Sequence, residues 1–192
     1  MSLFQIAMFW YIAQYVNPGR SLDYVIVGNA MQSIAYVAVF AVTNVTGEEK
    51  ERLAGAMREY GEKHDVGFFL RDAGNVAASD ACFLVGSLFA DAVGLDCGAC
   101  GYPTCADLLE AQKKGLPASV PFRGPNCAVR MADLGIAVGS AVKTASIHNV
   151  DNRVMYSAGV GALLLGWLDG CGVAYGIPLR ASGKDIFFDR TR

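Results

Sequence analysis

Apolar residues fall into blocks along this chain, and the spacing within each block predicts the element it forms. Leu3 to Val16 is apolar nearly all round and stops at the turn signal Asn17-Pro18-Gly19, which predicts a buried helix. Ile34 to Val42, rich in Val, Tyr and Phe, predicts a buried strand. Polarity then changes abruptly. Thr46-Gly47-Glu48-Glu49 opens a charged amphipathic helix reaching about Lys63, with Leu53, Ala56, Met57 and Tyr60 at helical spacing. Ala81 to Phe89 predicts a second buried strand, and Ala106 to Lys114 a short helix.

After the Pro- and Gly-containing loop Gly115 to Asn126 comes the longest helical pattern, Cys127 to about Ile147. Its apolar positions Met131, Leu134, Val138, Val142 and Ala145 recur three or four apart, while Gly135, Gly139 and Ser140 permit close approach, so a core helix is expected. Asp151-Asn152 is expected to cap a further helix from Arg153 to Leu168, and Gly172 to Leu179 to form a last strand. Together these predict an α/β or α+β fold of layered helices packed on both faces of a mixed sheet. No internal repeat or linker divides it, so residues 1–192 are read as one domain, with residues 95–127 as a small cysteine-rich insert.

Charge narrows the function. A net charge of -2 and no basic run longer than Lys113-Lys114 exclude a nucleic-acid partner. The hydrophobic fraction is 53% and the charged fraction 18%, against about 25% charged in ordinary soluble domains. The excess lies at the start, where Arg20 and Asp23 are the only charged residues from Met1 to Gly47. A membrane hairpin of Leu3 to Val16 and Tyr24 to Val45 competes with buried elements or a subunit interface. Gln5, Gln14, Asn17, Asn29, Gln32 and Ser33 interrupt the runs and favour the latter, without a membrane. No basic n-region with a cleavage site is present, so a cytoplasmic, reducing setting is expected. There, six cysteines indicate metal or redox chemistry before a disulfide framework.

Half of those cysteines stand in Asp96 to Leu108, DCGACGYPTCADL. Cys97, Cys100, Cys105 and Cys127 follow C-x2-C-x4-C-x21-C. Two thiolates two residues apart can wrap one side of a metal centre, and Gly98 and Gly101 permit the positive φ angles this requires and leave amide N–H groups free to point at sulfur. Cys127, at the start of a helix, gains thiolate stabilisation from the helix dipole. A four-thiolate site suits [4Fe-4S], [2Fe-2S] or zinc. Structural zinc usually shows two C-x2-C knuckles and the plant-type [2Fe-2S] order is the reverse of this one, so spacing favours an iron–sulfur cluster and leaves zinc open.

CGACGYPTC, a short helix and then a lone cysteine resemble the four-cysteine modules of certain electron-transfer subunits and corrinoid iron–sulfur proteins, which hold [4Fe-4S]. More widely, FFLRDAGN (Phe68 to Asn75), GPNCAVRMADLGIAVGSAVKTAS (Gly124 to Ser146), VDNRVMYSAG (Val150 to Gly159) and YGIPLRASGKDIFFDR (Tyr175 to Arg190) resemble an uncharacterised bacterial and archaeal family of ferredoxin-domain-containing proteins. That resemblance spans about residues 46 to 190 and implies a cluster without implying a reaction. A weaker likeness joins the long small-residue helix, the following helix and the strand ending in GIPL to nitroreductase-like flavin proteins. It implies a homodimer and FMN, although the arginine-rich segment that contacts the flavin phosphate in those proteins has no counterpart here.

Cys82 and Cys171 lie in apolar or Gly-flanked strand contexts and read as core residues. His64 reads as solvated and His148 as a cation at a helix C-terminus. Gly159-Val160-Gly161 lacks the preceding strand of a dinucleotide loop and reads as helix packing. Arg71 to Asn75 and Asp151 to Arg153 read as local ion pairs and caps. No Ser-His-Asp set, carboxylate pair or phosphate loop stands out, so no catalytic acid or base is nominated and enzyme status stays open. The leading expectation is a [4Fe-4S] protein passing single electrons to a redox partner protein or a small-molecule acceptor. The alternatives are a structural zinc protein mediating assembly and an FMN-dependent oxidoreductase fed by the cluster.

Overall fold

The computed structural model describes residues 40–115, 121–182 and 186–188, and the predicted helix Leu3 to Val16 and the first part of the predicted strand Ile34 to Val42 lie outside them. The described chain begins with strand β1, Phe40–Val45, followed by helix α1, Gly47–Lys63. Gly47 has φ 52°, a left-handed turn that suits a residue without a Cβ. Helix α2, Gly67–Ala78, comes next and was not foreseen; its buried positions Phe69, Asp72, Ala73 and Val76 form a short stripe that Gly67 and Gly74 obscure. Strand β2 spans Ala81–Leu88.

Val45 at the end of β1 pairs with Cys82 near the start of β2 because the α1–α2 pair returns the chain to the sheet end it left. The same logic governs the second connection, since Leu88 at the end of β2 pairs with Cys171 at the start of β4, Cys171–Arg180. The excursion between them leaves and rejoins the sheet at one end, touching its far end only through β3. That excursion contains α3, Cys105–Lys113, α4, Ala128–Ile147, the two-residue strand β3, Asp151–Asn152, and α5, Tyr156–Leu164. The sheet order is β1-β2-β4-β3, and each pairing is antiparallel. The layered helix-on-sheet fold is thus α+β, and among the described strands the sheet is antiparallel where a mixed one was expected, because each of the two long connections brings the chain back to the sheet end it left.

Helix α5 seats directly on β4. A Cβ on Gly159 would stand 1.9 Å from the Ala174 carbonyl oxygen, so only glycine allows this approach. On the far side of α5, Gly161 faces Met57 and Leu53 of α1, and Gly61 of α1 faces Phe69 of α2. Helix α5 therefore lies between the sheet and the α1–α2 pair, with Leu53, Met57, Phe69, Leu84 and Ala158 fully or almost fully buried. Buried Asp72 accepts a 2.7 Å hydrogen bond from the Ser157 hydroxyl, tying α2 to the first turn of α5.

Two expectations change here. Asp151-Asn152 forms the edge strand β3 on Leu179 and Arg180, and the helix begins later, at Tyr156. Helix α4 is not a core helix, since only Leu134 along it is buried, while Ile136 is 70% exposed and the space around Gly135 and Gly139 is open. Its apolar character runs round the helix, and periodicity alone does not fix which face meets the fold.

Candidate metal centre

The cysteine segment hangs from the sheet end where β2 and β4 meet. Phe89 N–H donates to the Gly170 carbonyl at 2.8 Å and Arg123 N–H to the Gly172 carbonyl at 2.8 Å, so both limbs of the excursion are fixed where β4 begins. Between those anchors the backbone turns sharply. Gly94, Asp96, Gly98 and Gly101 have φ of 74°, 47°, 68° and 86°. The two glycines read from sequence thus adopt the left-handed conformation their positions were expected to need. Asp96 does so as well, a conformation its short polar side chain tolerates.

The Asp96 carboxylate accepts a 2.6 Å hydrogen bond from the Cys105 N–H. This closes the loop on itself, because Asp96 adjoins Cys97 at one end and Cys105 stands at the other. A turn from the Gly101 N–H to the Gly98 carbonyl, 3.0 Å, folds the centre around Cys100. Thr104 then starts α3 through a capping box: its hydroxyl accepts from the Asp107 N–H at 3.1 Å, and the Asp107 carboxylate accepts from the Thr104 N–H at 3.1 Å. Cys105 is therefore the first residue of a helix, as well as the end of a loop.

The fourth cysteine arrives from the other limb. Gln112 on α3 donates to the Pro125 carbonyl at 3.0 Å, and Asn126 donates to the Arg123 carbonyl at 2.6 Å, which fixes the turn leading to Cys127 at the N-cap of α4. The Cys127 sulfur makes no full capping hydrogen bond, but the backbone N–H groups of Arg130, Val129 and Val93 stand around it. Burial pushes this thiol up, yet those three N–H groups and the Arg130 guanidinium outweigh burial and hold it below its ordinary range. Its surroundings favour the charged form.

Cys97 is exposed, and Cys100 and Cys105 are half-buried. Among the described residues no group of three or more Cys, His, Asp or Glu side chains is gathered closely enough to hold a metal ion. What the fold brings together is the two segments. Val93 lies beside the Cys127 sulfur, and Cys97 follows four residues later, within about 14 Å of chain. The donor set of four thiols on a loop turned by left-handed glycines fits a thiophilic metal centre.

The remaining sequence candidates fall elsewhere. Cys82 and Cys171 are buried on the α5 face of the sheet, and burial pushes the Cys82 thiol up to about 12. His64 is exposed, its ring 4.3 Å from that of Tyr60, and His148 ends α4 as its C-cap. Arg71 pairs with Asp72 at 2.8 Å, and Arg153 lies over the Phe188 ring at 5.4 Å. Asp91, Val93, Asp96 and Arg130 were missed. A carboxylate next to a cysteine could have flagged Asp96, and a cation one helical turn beyond Cys127 could have flagged Arg130.

No described helix is long and apolar enough to cross a membrane. A family model described as "Putative Fe-S cluster" matches residues 94–115, which hold Cys97, Cys100 and Cys105. A second, described as "Uncharacterized protein containing a ferredoxin domain", matches residues 123–190, which hold Cys127. A protein of Archaeoglobus fulgidus, described as "Uncharacterized protein", is 44% identical over 149 residues, 78% of each chain. No solved structure matches the chain. The segment that carries three thiols and the segment that carries the fourth are thus both recognised, and the chain belongs to the family of proteins described as containing a ferredoxin domain.

Proposed function

We propose that Cys97, Cys100, Cys105 and Cys127 hold one [4Fe-4S] cluster and that the protein carries single electrons between a reduced donor and an acceptor, either a redox partner protein or a small molecule. The observation that carries this reading is the cysteine loop itself, closed by the 2.6 Å hydrogen bond from the Cys105 N–H to Asp96 within the segment that matches the iron–sulfur family model. A cluster bound there supplies reversible one-electron reduction. The chain supplies the rest. Asp96 holds the two ends of the loop together through the Cys105 N–H, and Gly98 and Gly101 take the turns between. The N-termini of α3 and α4 bring partial positive charge to Cys105 and Cys127. Cys97, Cys100 and Cys105 would come to the cluster from the loop and Cys127 from the start of α4, since sites of this kind form together with their metal.

The test is anaerobic reconstitution with ferrous iron and sulfide, followed by reduction with dithionite and reoxidation by a one-electron dye. Reversible bleaching with an EPR signal in the reduced state is expected in the wild type and lost in Cys127→Ser. A Cys127→Ser protein with full iron loading and unchanged EPR removes Cys127 from the ligand set. A wild type that binds zinc alone, or releases FMN on denaturation with no iron, overturns the cluster reading.

A further inference from the structure

Arg130 lies on the first turn of α4 and makes three separate approaches. Its Nε stands 2.9 Å from Asp91 Oδ2, its Nη2 donates to Asp91 Oδ1 at 3.5 Å, and its Nη1 stands 3.5 Å from Asp133 Oδ2. The Arg130 side chain is 19% exposed and that of Asp91 22%. Despite the short approach, Nε and Oδ2 are both buried without a hydrogen bond, so this contact is an ion pair out of alignment. Taking two charges out of water is costly, and a poorly aligned pair recovers little of that cost, so stability is a weak reason for its presence.

Its placement suggests another. Asp91 and Val93 belong to the limb that leads into the three-cysteine loop, whereas Arg130 and Cys127 belong to α4. The limb is thus clamped to the helix at two adjacent points, by the Asp91 carboxylate on the Arg130 guanidinium and by the Val93 N–H at the Cys127 sulfur. Arg130 also keeps its charge at every working pH, and beside the buried Cys127 sulfur that charge is screened less than it would be in open water.

We infer that Arg130 is a positioning and charge-setting residue, which holds the three-cysteine loop against Cys127 and raises the reduction potential of the centre they share, with Asp91 opposing that charge. The inference rests on the cluster reading above. A cluster held by thiolates gains negative charge on reduction, so a fixed cation stabilises the reduced form and a fixed carboxylate the oxidised form. The two partners of one ion pair therefore shift the potential in opposite directions when neutralised, an outcome that a merely structural clamp would not give.

The experiment is a dye-mediated redox titration, followed by EPR, on the full chain loaded anaerobically with iron and sulfide. Wild type, Arg130→Gln, Arg130→Lys and Asp91→Asn are compared, with iron content measured for each. Arg130→Gln is expected to move the midpoint to a more negative value, Asp91→Asn to a less negative one, and Arg130→Lys to stay near wild type. Shifts of the same sign, or no shift, in fully loaded variants overturn the inference alone. Should Arg130→Gln fail to take up iron, Asp91→Asn against wild type decides: a less negative midpoint supports the inference and an unchanged one overturns it. A wild type that takes up no iron overturns the cluster reading and this inference with it.

Discussion

Cysteine stands in two opposed settings in this molecule. On the sheet, Cys82 and Cys171 are sealed beneath α5, and burial drives the Cys82 thiol up to about 12. In the excursion from the sheet end, Cys127 is also buried, yet the N–H groups of Arg130, Val129 and Val93 hold its thiol below the ordinary range. Burial is the first cause acting on both, so the difference lies in what surrounds the sulfur: Cys82 meets the one backbone N–H of Ile177, whereas Cys127 meets two N–H groups of a helix start, that of Val93 and the Arg130 charge. A buried thiol is held towards its charged form where several backbone donors meet it.

The comparison breaks first at the ligands. Replacing Cys97, Cys100 or Cys105 by Ser is expected to abolish most iron loading, whereas Cys82→Ala and Cys171→Ala retain wild-type iron; metal analysis of the purified variants checks this, and iron lost on removing Cys82 would erase the distinction. The scaffold side is probed by Gly159→Ala. With the new Cβ driven to 1.9 Å from the Ala174 carbonyl, α5 must lift from β4 at a cost above about 3 kcal/mol, read as a large fall in melting temperature.

A smaller effect concerns pH. Because the Cys82 value in the fold is raised above the ordinary 9.0, its burial contributes fully below pH 9.0, and that contribution is lost as pH climbs towards about 12. In metal-free protein at pH 8, iodoacetamide is therefore expected to alkylate the cysteines of the loop while sparing Cys82, and mass spectrometry of the peptides would expose the opposite order. The smallest effect is at the exposed helix. Gly135→Ala meets nothing within 4 Å and is expected to stabilise the protein by about 0.5–1 kcal/mol; a destabilised variant would mean that something packs on this face.

The turns of the cysteine loop were the most legible part of the candidate site, because glycines at close spacing act through local geometry that sequence order fixes. Gly98 and Gly101 adopt the conformations their positions called for. The amphipathic helix from Gly47 and the strands from Ala81 and Cys171 were equally plain, since each has one buried stripe or a short apolar run. Helix α2 escaped because its stripe is short and glycine-interrupted, and α4 misled because an apolar pattern says which face a helix can bury, not whether the fold supplies a surface for it. The Arg130–Asp91 pair lies 39 residues apart in sequence and depends on both limbs of the excursion returning to one sheet end. No local pattern encodes it.

The central claim meets its most direct test in iron, sulfide and zinc analysis of anaerobically purified protein, with absorption spectra before and after dithionite. Four thiolate ligands around one cluster predict about four irons and four sulfides per chain, with a broad visible band that bleaches on reduction. One zinc per chain and a colourless solution would contradict it, and the four cysteines would then be a structural metal site with no electron to pass.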